Sequence, residues 1–243
     1  MYFEIPGSQV RVLGSMHLVP VGAVAAPPWT LAGYDWCEAL VHERSSDDAA
    51  WMVRADRPLS ELLGADTLRE IEAAIPNERK RKFLEGLRPW AAALHISVWA
   101  QEVALGVESA LLQSCAIDGK PIDVLETAAE ARAAFDSAAP EDVERVVVAC
   151  VRDMPHAQQR LLRLHAAWLA RDRAAMHAAA ADSPFGASAA LWEAGIARRN
   201  RAWALKLEPL LATSRRTLVV VGALHLCGPG NLEECLDVEF RQV

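Results

Sequence analysis

Two short motifs carry the residues best suited to chemistry. Val12-Leu13-Gly14-Ser15-Met16-His17-Leu18 and Val221-Gly222-Ala223-Leu224-His225-Leu226 share one pattern: an apolar, β-branched run, then glycine, two residues, and His-Leu. Glycine makes up about 7% of residues in general, so a given histidine has glycine three places earlier about one time in fourteen. Two of the seven histidines here do so, each before leucine, which sets them apart as a matched pair. Glycine lets a chain leave a strand at dihedrals that other residues resist. The histidine then stands just past the carboxyl end of the strand, where open α/β sheets bind ligands. Two imidazoles placed there could share a metal ion or divide the roles of base and acid.

Two glutamates hold equivalent positions. Glu43 follows Ala39-Leu40-Val41-His42, and Glu126 follows Ile122-Asp123-Val124-Leu125. A carboxylate at the end of a buried strand is costly unless paired, hydrated or bound to metal. Two His and two Glu on one sheet edge suit a divalent ion such as Zn, Mn, Co or Fe. Without metal the same set could activate water through a histidine base. A further group comes from the run Arg198-Arg199-Asn200-Arg201-Ala202-Trp203. Arg199 shares a helix face with Ile196 and Trp203. A buried guanidinium there needs an anion, with Glu43, Glu126 or a substrate carboxylate as candidates. His42 neighbours Glu43, but strand alternation sends it to the opposite face and makes it a poor partner for the site. Trp203 reads as a packing residue, and Cys227 as a minor candidate for an accessory ligand.

The elements that must position these residues follow from pattern. Tyr2–Ile5 and Gln9–Leu13 flank Pro6-Gly7-Ser8 as a hairpin. Glycine, proline and alanine make 19–33 a loop with a short helix. Cys37–Glu43, Lys120–Leu125 and Arg216–Val221 read as strands, and Cys235–Gln242 as a last one. Helical periods cover Thr67–Ala74, Asn77–Leu84, Pro89–Leu105 and Val107–Ala116, then Ala128–Phe135, Glu141–Arg152, His156–Ala170, Ala174–Ala180 and Ser188–Glu208. This order predicts an α/β chain: a mixed central β-sheet with flanking helices and a large helical insertion, in one domain over 1–243, mainly helical at about 59–117 and 127–212.

Composition narrows the function class. Apolar residues are 52% of 243, as in ordinary globular chains, and the net charge of −7 argues against a nucleic-acid partner. The short basic run Arg79-Lys80-Arg81-Lys82 reads as a solvated helix face. Five scattered cysteines without C-x-x-C point to reduced, buried thiols. No basic segment followed by an apolar stretch opens the chain, and no run reaches the roughly 18 apolar residues of a membrane span. The expectation is a cytoplasmic location with no membrane contact.

These motifs together resemble the TraB/GumN family, which includes the Tiki proteins and is distantly similar to erythromycin-esterase-like and ChaN-like proteins. The resemblance runs through Gly14–His17, Val41-His42-Glu43, Leu87-Arg88-Pro89-Trp90, Gly106-Val107-Glu108, Gly119–Ile122 with Leu125–Thr127, Arg199-Asn200 with Trp203, and Val221–Leu226 with Gly228-Pro229-Gly230. Glu108 stands where the family often has Asp, and Cys227 is a less expected residue. The resemblance implies an α/β fold with a helical insert and a hydrolytic site built from both G-x-x-H motifs. Tiki-like relatives act as divalent-metal proteases, and erythromycin-esterase-like relatives cleave an ester without needing metal. The expectation drawn from it is a metal-dependent hydrolase of peptide or amide bonds, taking a peptide or small-molecule substrate. His17, Glu43 and His225 would hold a Mn, Co or Zn ion. Glu126 would be general base or fourth ligand, and Arg199 and Asn200 would bind substrate or steady the oxyanion. The alternatives are a metal-independent, esterase-like hydrolase and a binding protein that keeps the site.

Overall fold

A computed structural model of the chain describes residues 1–44, 52–53 and 56–243. The amino-terminal apolar runs form β1 (Tyr2–Glu4) and β2 (Val10–Ser15), paired antiparallel across a turn in which Gly7 takes φ 81°. β3 (Leu18–Pro20), α1 (Pro28–Trp36) and β4 (Ala39–Arg44) follow. Then come α2 (Ala65–Ala74), α3 (Glu78–Glu85), α4 (Pro89–Trp99), β5 (Val103–Leu105), α5 (Val107–Asp118) and β6 (Ile122–Glu126). A helical series continues with α6 (Ala128–Phe135), α7 (Pro140–Asp153), α8 (Ala157–Leu169), α9 (Arg173–Ala181), α10 (Ala189–Trp192) and α11 (Arg198–Leu207). β7 (Thr217–Gly222), α12 (Leu232–Leu236) and β8 (Arg241–Gln242) complete the chain.

Six strands make a mixed sheet in the order β6-β4-β7-β2-β1-β8. β2, β4, β6 and β7 run parallel, while β1 at one side pairs antiparallel with both β2 and the edge strand β8. The chain is therefore α/β with a mixed central sheet. Every residue of β7 is buried, as a central parallel strand covered on both faces requires. Alternation along β4 sends Val41 to a core shared with Val12, Val219 and Leu125, and Leu40 to the opposite core with Leu13, Leu218 and Val220. A further apolar core lies among the helices, where Trp90 stacks on Phe135 with centroids 4.6 Å apart. Among the described residues, no helix is long and apolar enough to cross a membrane.

Three elements differ from the sequence reading. The helix expected over Pro89–Leu105 ends at Trp99, and Val103–Leu105 instead pairs antiparallel with β3 to make a separate two-stranded ribbon. Three apolar residues carry no period of their own, so a partner distant in sequence decided their form. The strand expected over Cys235–Gln242 is α12 followed by a two-residue strand. Asn231 caps α12 by accepting from the Glu234 amide, and Asp237 ends it in the left-handed region at φ 52°. The long helix expected over Ser188–Glu208 is continuous but contains one π-helical turn, Glu193–Ala197.

Candidate functional site

The register of the parallel strands brings the two motifs side by side. Gly14 pairs with Val221 and Ser15 with Gly222 on β2 and β7, while His42 pairs with Val220 on β4 and β7. His17, Glu43, Glu126 and His225 consequently all stand at the carboxyl edge of the sheet. The motif glycines act differently from the sequence expectation. Gly222 has φ −56° and ψ 134°, which other residues also adopt. Its value is space: a Cβ there would sit 3.1 Å from His17 Nε2 and 3.2 Å from Glu43 Oε1. At Gly14 a Cβ would meet Leu226 at 2.8 Å, the leucine that closes the other motif.

His17 is the exposed member of the set, with 57% of its side chain accessible. Its Nδ1 lies 2.5 Å from Glu108 Oε2, and the Ser15 hydroxyl donates to the other oxygen of Glu108. Facing a carboxylate, Nδ1 carries the proton and donates it, which leaves Nε2 as the free position. Nε2 lies 4.0 Å from Glu43 Oε1. The crowded ring position works against the charged imidazole, but the carboxylates of Glu108 and Glu43 outweigh it and carry the His17 pKa up to about 9. Burial opposes the Glu108 carboxylate too, yet His17 holds its pKa well below the usual range.

His225 is the buried counterpart, 3% exposed. Asn200 donates its amide to the carbonyls of His225, at 3.0 Å, and Gly230, at 2.8 Å. That orientation leaves Asn200 Oδ1 as an acceptor, 2.7 Å from His225 Nδ1. Nδ1 therefore carries the proton, and Nε2 accepts from Arg199 Nη1 at 3.2 Å. Burial pushes the His225 pKa down to about 3; neighbouring Arg199 lowers it further while Glu43 works the other way.

Arg199 holds the buried part together. It donates Nε to both oxygens of Glu126 at 3.1 Å, Nη2 to Glu126 at 2.6 Å and to Glu43 at 3.0 Å, and Nη1 to the Gly195 carbonyl at 3.0 Å. With His225 Nε2 included, all five guanidinium N–H groups are engaged inside the protein. The Gly195 carbonyl belongs to the π-helical turn, a device often found beside functional residues. Trp203 also donates to Glu126, at 3.2 Å, and packs on His225 with ring centroids 4.4 Å apart. Glu43 takes the Gly222 amide on its other oxygen. Burial disfavours its charge, but His225, Arg199 and His17 around it hold its pKa down at about 2.

The donor types suit a divalent ion, yet their arrangement does not fit one. Bonds of about 2.1 Å in a tetrahedral shell put neighbouring donor atoms about 3.4 Å apart. Glu43 Oε1 is 4.0 Å from His17 Nε2 and 3.9 Å from His225 Nε2. The Arg199 guanidinium also already occupies the His225 lone pair. Among the described residues, no group of three His, Cys, Asp or Glu side chains is placed to hold a metal. Cys227 is buried and donates its thiol to the Ala223 carbonyl at 3.1 Å.

A sequence model of the TraB/PrgY/gumN family matches residues 3–239, which spans both histidine motifs and everything between them. The chain belongs to this family. Comparisons with curated proteins and with solved structures find no match. For this TraB/PrgY/gumN chain, the contact that the sequence reading did not assign to the site is Glu108. Its signal was present in Gly106-Val107-Glu108, but nothing in the spacing joins position 108 to position 17. His42 does face away from Glu43, as alternation demands. It nevertheless approaches the site from that side, with Nε2 3.8 Å from Glu108 Oε2 and Nδ1 bonded to the Arg44 carbonyl. The groove of about 870 Å³ lined by Thr67, Glu144, Arg152, Asp153 and Pro184 contains none of these residues.

Proposed function

We propose that the chain is a hydrolase of a carbonyl bond, peptide or amide, in which His17 moves the proton. The observation that carries this reading is the contrast at one sheet edge. An accessible imidazole has its far nitrogen fixed by Glu108 and its Nε2 aimed at the Glu43 side, over a buried ionic network. A carboxylate that fixes the tautomer and stabilises the imidazolium is the arrangement a general base needs. His17 Nε2 would take the proton of an attacking water as its oxygen bonds to the carbonyl carbon. The same proton would then pass to the leaving nitrogen as the C–N bond breaks. Glu43 would orient that water through Oε1.

In this reading three expected roles change. Arg199 has no N–H left for a substrate, so it positions Glu43 and His225. Asn200 fixes the His225 tautomer and the loop that carries it. Glu126, with both oxygens accepting from Arg199 and Trp203, is the counterion of Arg199 and no longer a base.

A Mn, Co or Zn ion between His17, Glu43 and His225 is a second reading. One observation favours it: both histidines have Nδ1 held by an acceptor and Nε2 turned to the same glutamate oxygen, which is how ligating histidines are oriented. Loading would require Arg199 Nη1 to release His225. The discriminating experiment assays peptide, amide and ester substrates with untagged protein, before and after chelation, with each metal restored, alongside His17→Ala and His225→Ala. Turnover that survives chelation and vanishes in His17→Ala supports the first reading. Turnover that appears only with stoichiometric metal, lost in both variants, replaces it with the second. Inactivity under every condition would instead make this a binding protein.

A further inference from the structure

The ribbon of β3 and β5 has an open side. Gly106 N–H donates to the His17 carbonyl at 2.9 Å, and Val21 N–H donates to the Glu102 carbonyl at 3.1 Å. With Val19 opposite Ala104, positions 17, 19 and 21 therefore face 106, 104 and 102 on the bonded side of the pair, although the Glu102 amide itself donates to Gln158 Oε1 at 2.7 Å. The N–H and C=O groups of Val103 and Leu105 must point the other way, off the outer edge of β5. Among the described residues, no backbone or side-chain partner meets them there. Leu105 is 67% exposed and Ala104 is exposed as well. An edge of Val-Ala-Leu has neither lysine nor proline to block pairing, and only its three-residue length limits it.

This edge is joined directly to the site. Gly106, which ends β5, is the residue bonded to the His17 carbonyl, and a Cβ at Gly106 would lie 1.7 Å from the Met16 carbonyl oxygen. Two residues later comes Glu108, which holds the His17 ring. A strand added to β5 would lie about 10 Å from the His17 backbone, two strand spacings of about 4.8 Å. Three further extended residues span about that distance.

We propose that β5 binds the substrate as an extended peptide by strand addition, through the outward N–H and C=O of Val103 and Leu105. This deepens the reading of the site as a hydrolase and makes its substrate a polypeptide rather than a compact ester. Main-chain bonds supply the affinity, and the exposed Leu105 side chain contributes to side-chain preference.

Direct binding tests this independently of turnover. The probe is a fluorescein-labelled hexapeptide of alternating valine and threonine, followed by anisotropy. Leu105→Pro removes one outward donor and no bond to β3, a change that edge strands tolerate. Val103→Pro is the parallel variant should Leu105→Pro fail to fold by circular dichroism. The expected result is saturable binding to the wild type, weakened at least about tenfold in the proline variants and with a hexapeptide N-methylated at alternate residues. Absence of binding, or equal binding to all of these, overturns the proposal. Sedimentation covers the other occupant: a wild-type dimer dissociated by Leu105→Pro would assign the edge to a second copy of the chain. Peptide binding without any hydrolysis would retain the docking edge and remove the hydrolase reading.

Discussion

The two G-x-x-H motifs are alike in sequence and opposite in environment. His17 is open to solvent, hydrogen-bonded to a carboxylate, and drawn toward the charged form. His225 is enclosed, hydrogen-bonded to a neutral amide and an arginine, and held neutral. Each keeps its proton on Nδ1 and turns Nε2 toward Glu43, so the geometry is shared and only the protonation differs. The lesson is that spacing placed the rings, while the residue against Nδ1 and the degree of burial set what each ring can do. Environments that push two groups apart in pKa are a means of assigning separate acid–base roles within one site.

That contrast can be broken at its base. Arg199→Met leaves Glu43 and Glu126 buried without their cation, and removal of one partner of a buried pair costs about 3–5 kcal/mol. Urea denaturation should show a loss of that size; an unchanged midpoint would mean that the two glutamates are neutral or hydrated. His17→Ala should cost less stability than Arg199→Met, because its side chain is 57% accessible, while lowering turnover by about 10²- to 10⁴-fold. A smaller effect than for His225→Ala would reverse the roles drawn for the two rings.

Subtler changes sharpen the comparison. With His17 as base, turnover rises with pH as the ring loses its proton, through a limb near about 9. Glu108→Gln removes the carboxylate that stabilises the imidazolium, so the limb should move down toward the ordinary value of about 6.5. Stability runs the opposite way. A raised histidine pKa supports the fold below the ordinary value and that support fades as pH rises through about 9. A limb that stays in place in Glu108→Gln would detach it from His17.

Much of the architecture was legible in the chain itself. Arg216–Val221, Lys120–Leu125 and Cys37–Glu43 are apolar runs bounded by turn residues, and they became β7, β6 and β4. Capped, periodic segments such as Ala128–Phe135, with its Thr127–Glu130 capping box, became helices at nearly the stated bounds. Local pattern suffices there because the signals lie within one turn or one strand. β5 and α12 were not legible, since three apolar residues or a five-residue helix take their form from distant partners and caps.

By itself the sequence placed His17, Glu43, Glu126 and His225 at or just past the carboxyl ends of strands, and put Arg199 on one helix face with Ile196 and Trp203. Only the tertiary structure decided the pairings. It set Glu108 against His17, Asn200 against His225, and all five donors of Arg199 within the protein. The physical reason is that periodicity fixes which face a residue occupies, whereas a hydrogen bond or an ion pair depends on distances of a few ångströms between elements. Those distances are set by packing: the space above Gly222, the close approach at Gly106, and the helix face that buries Arg199.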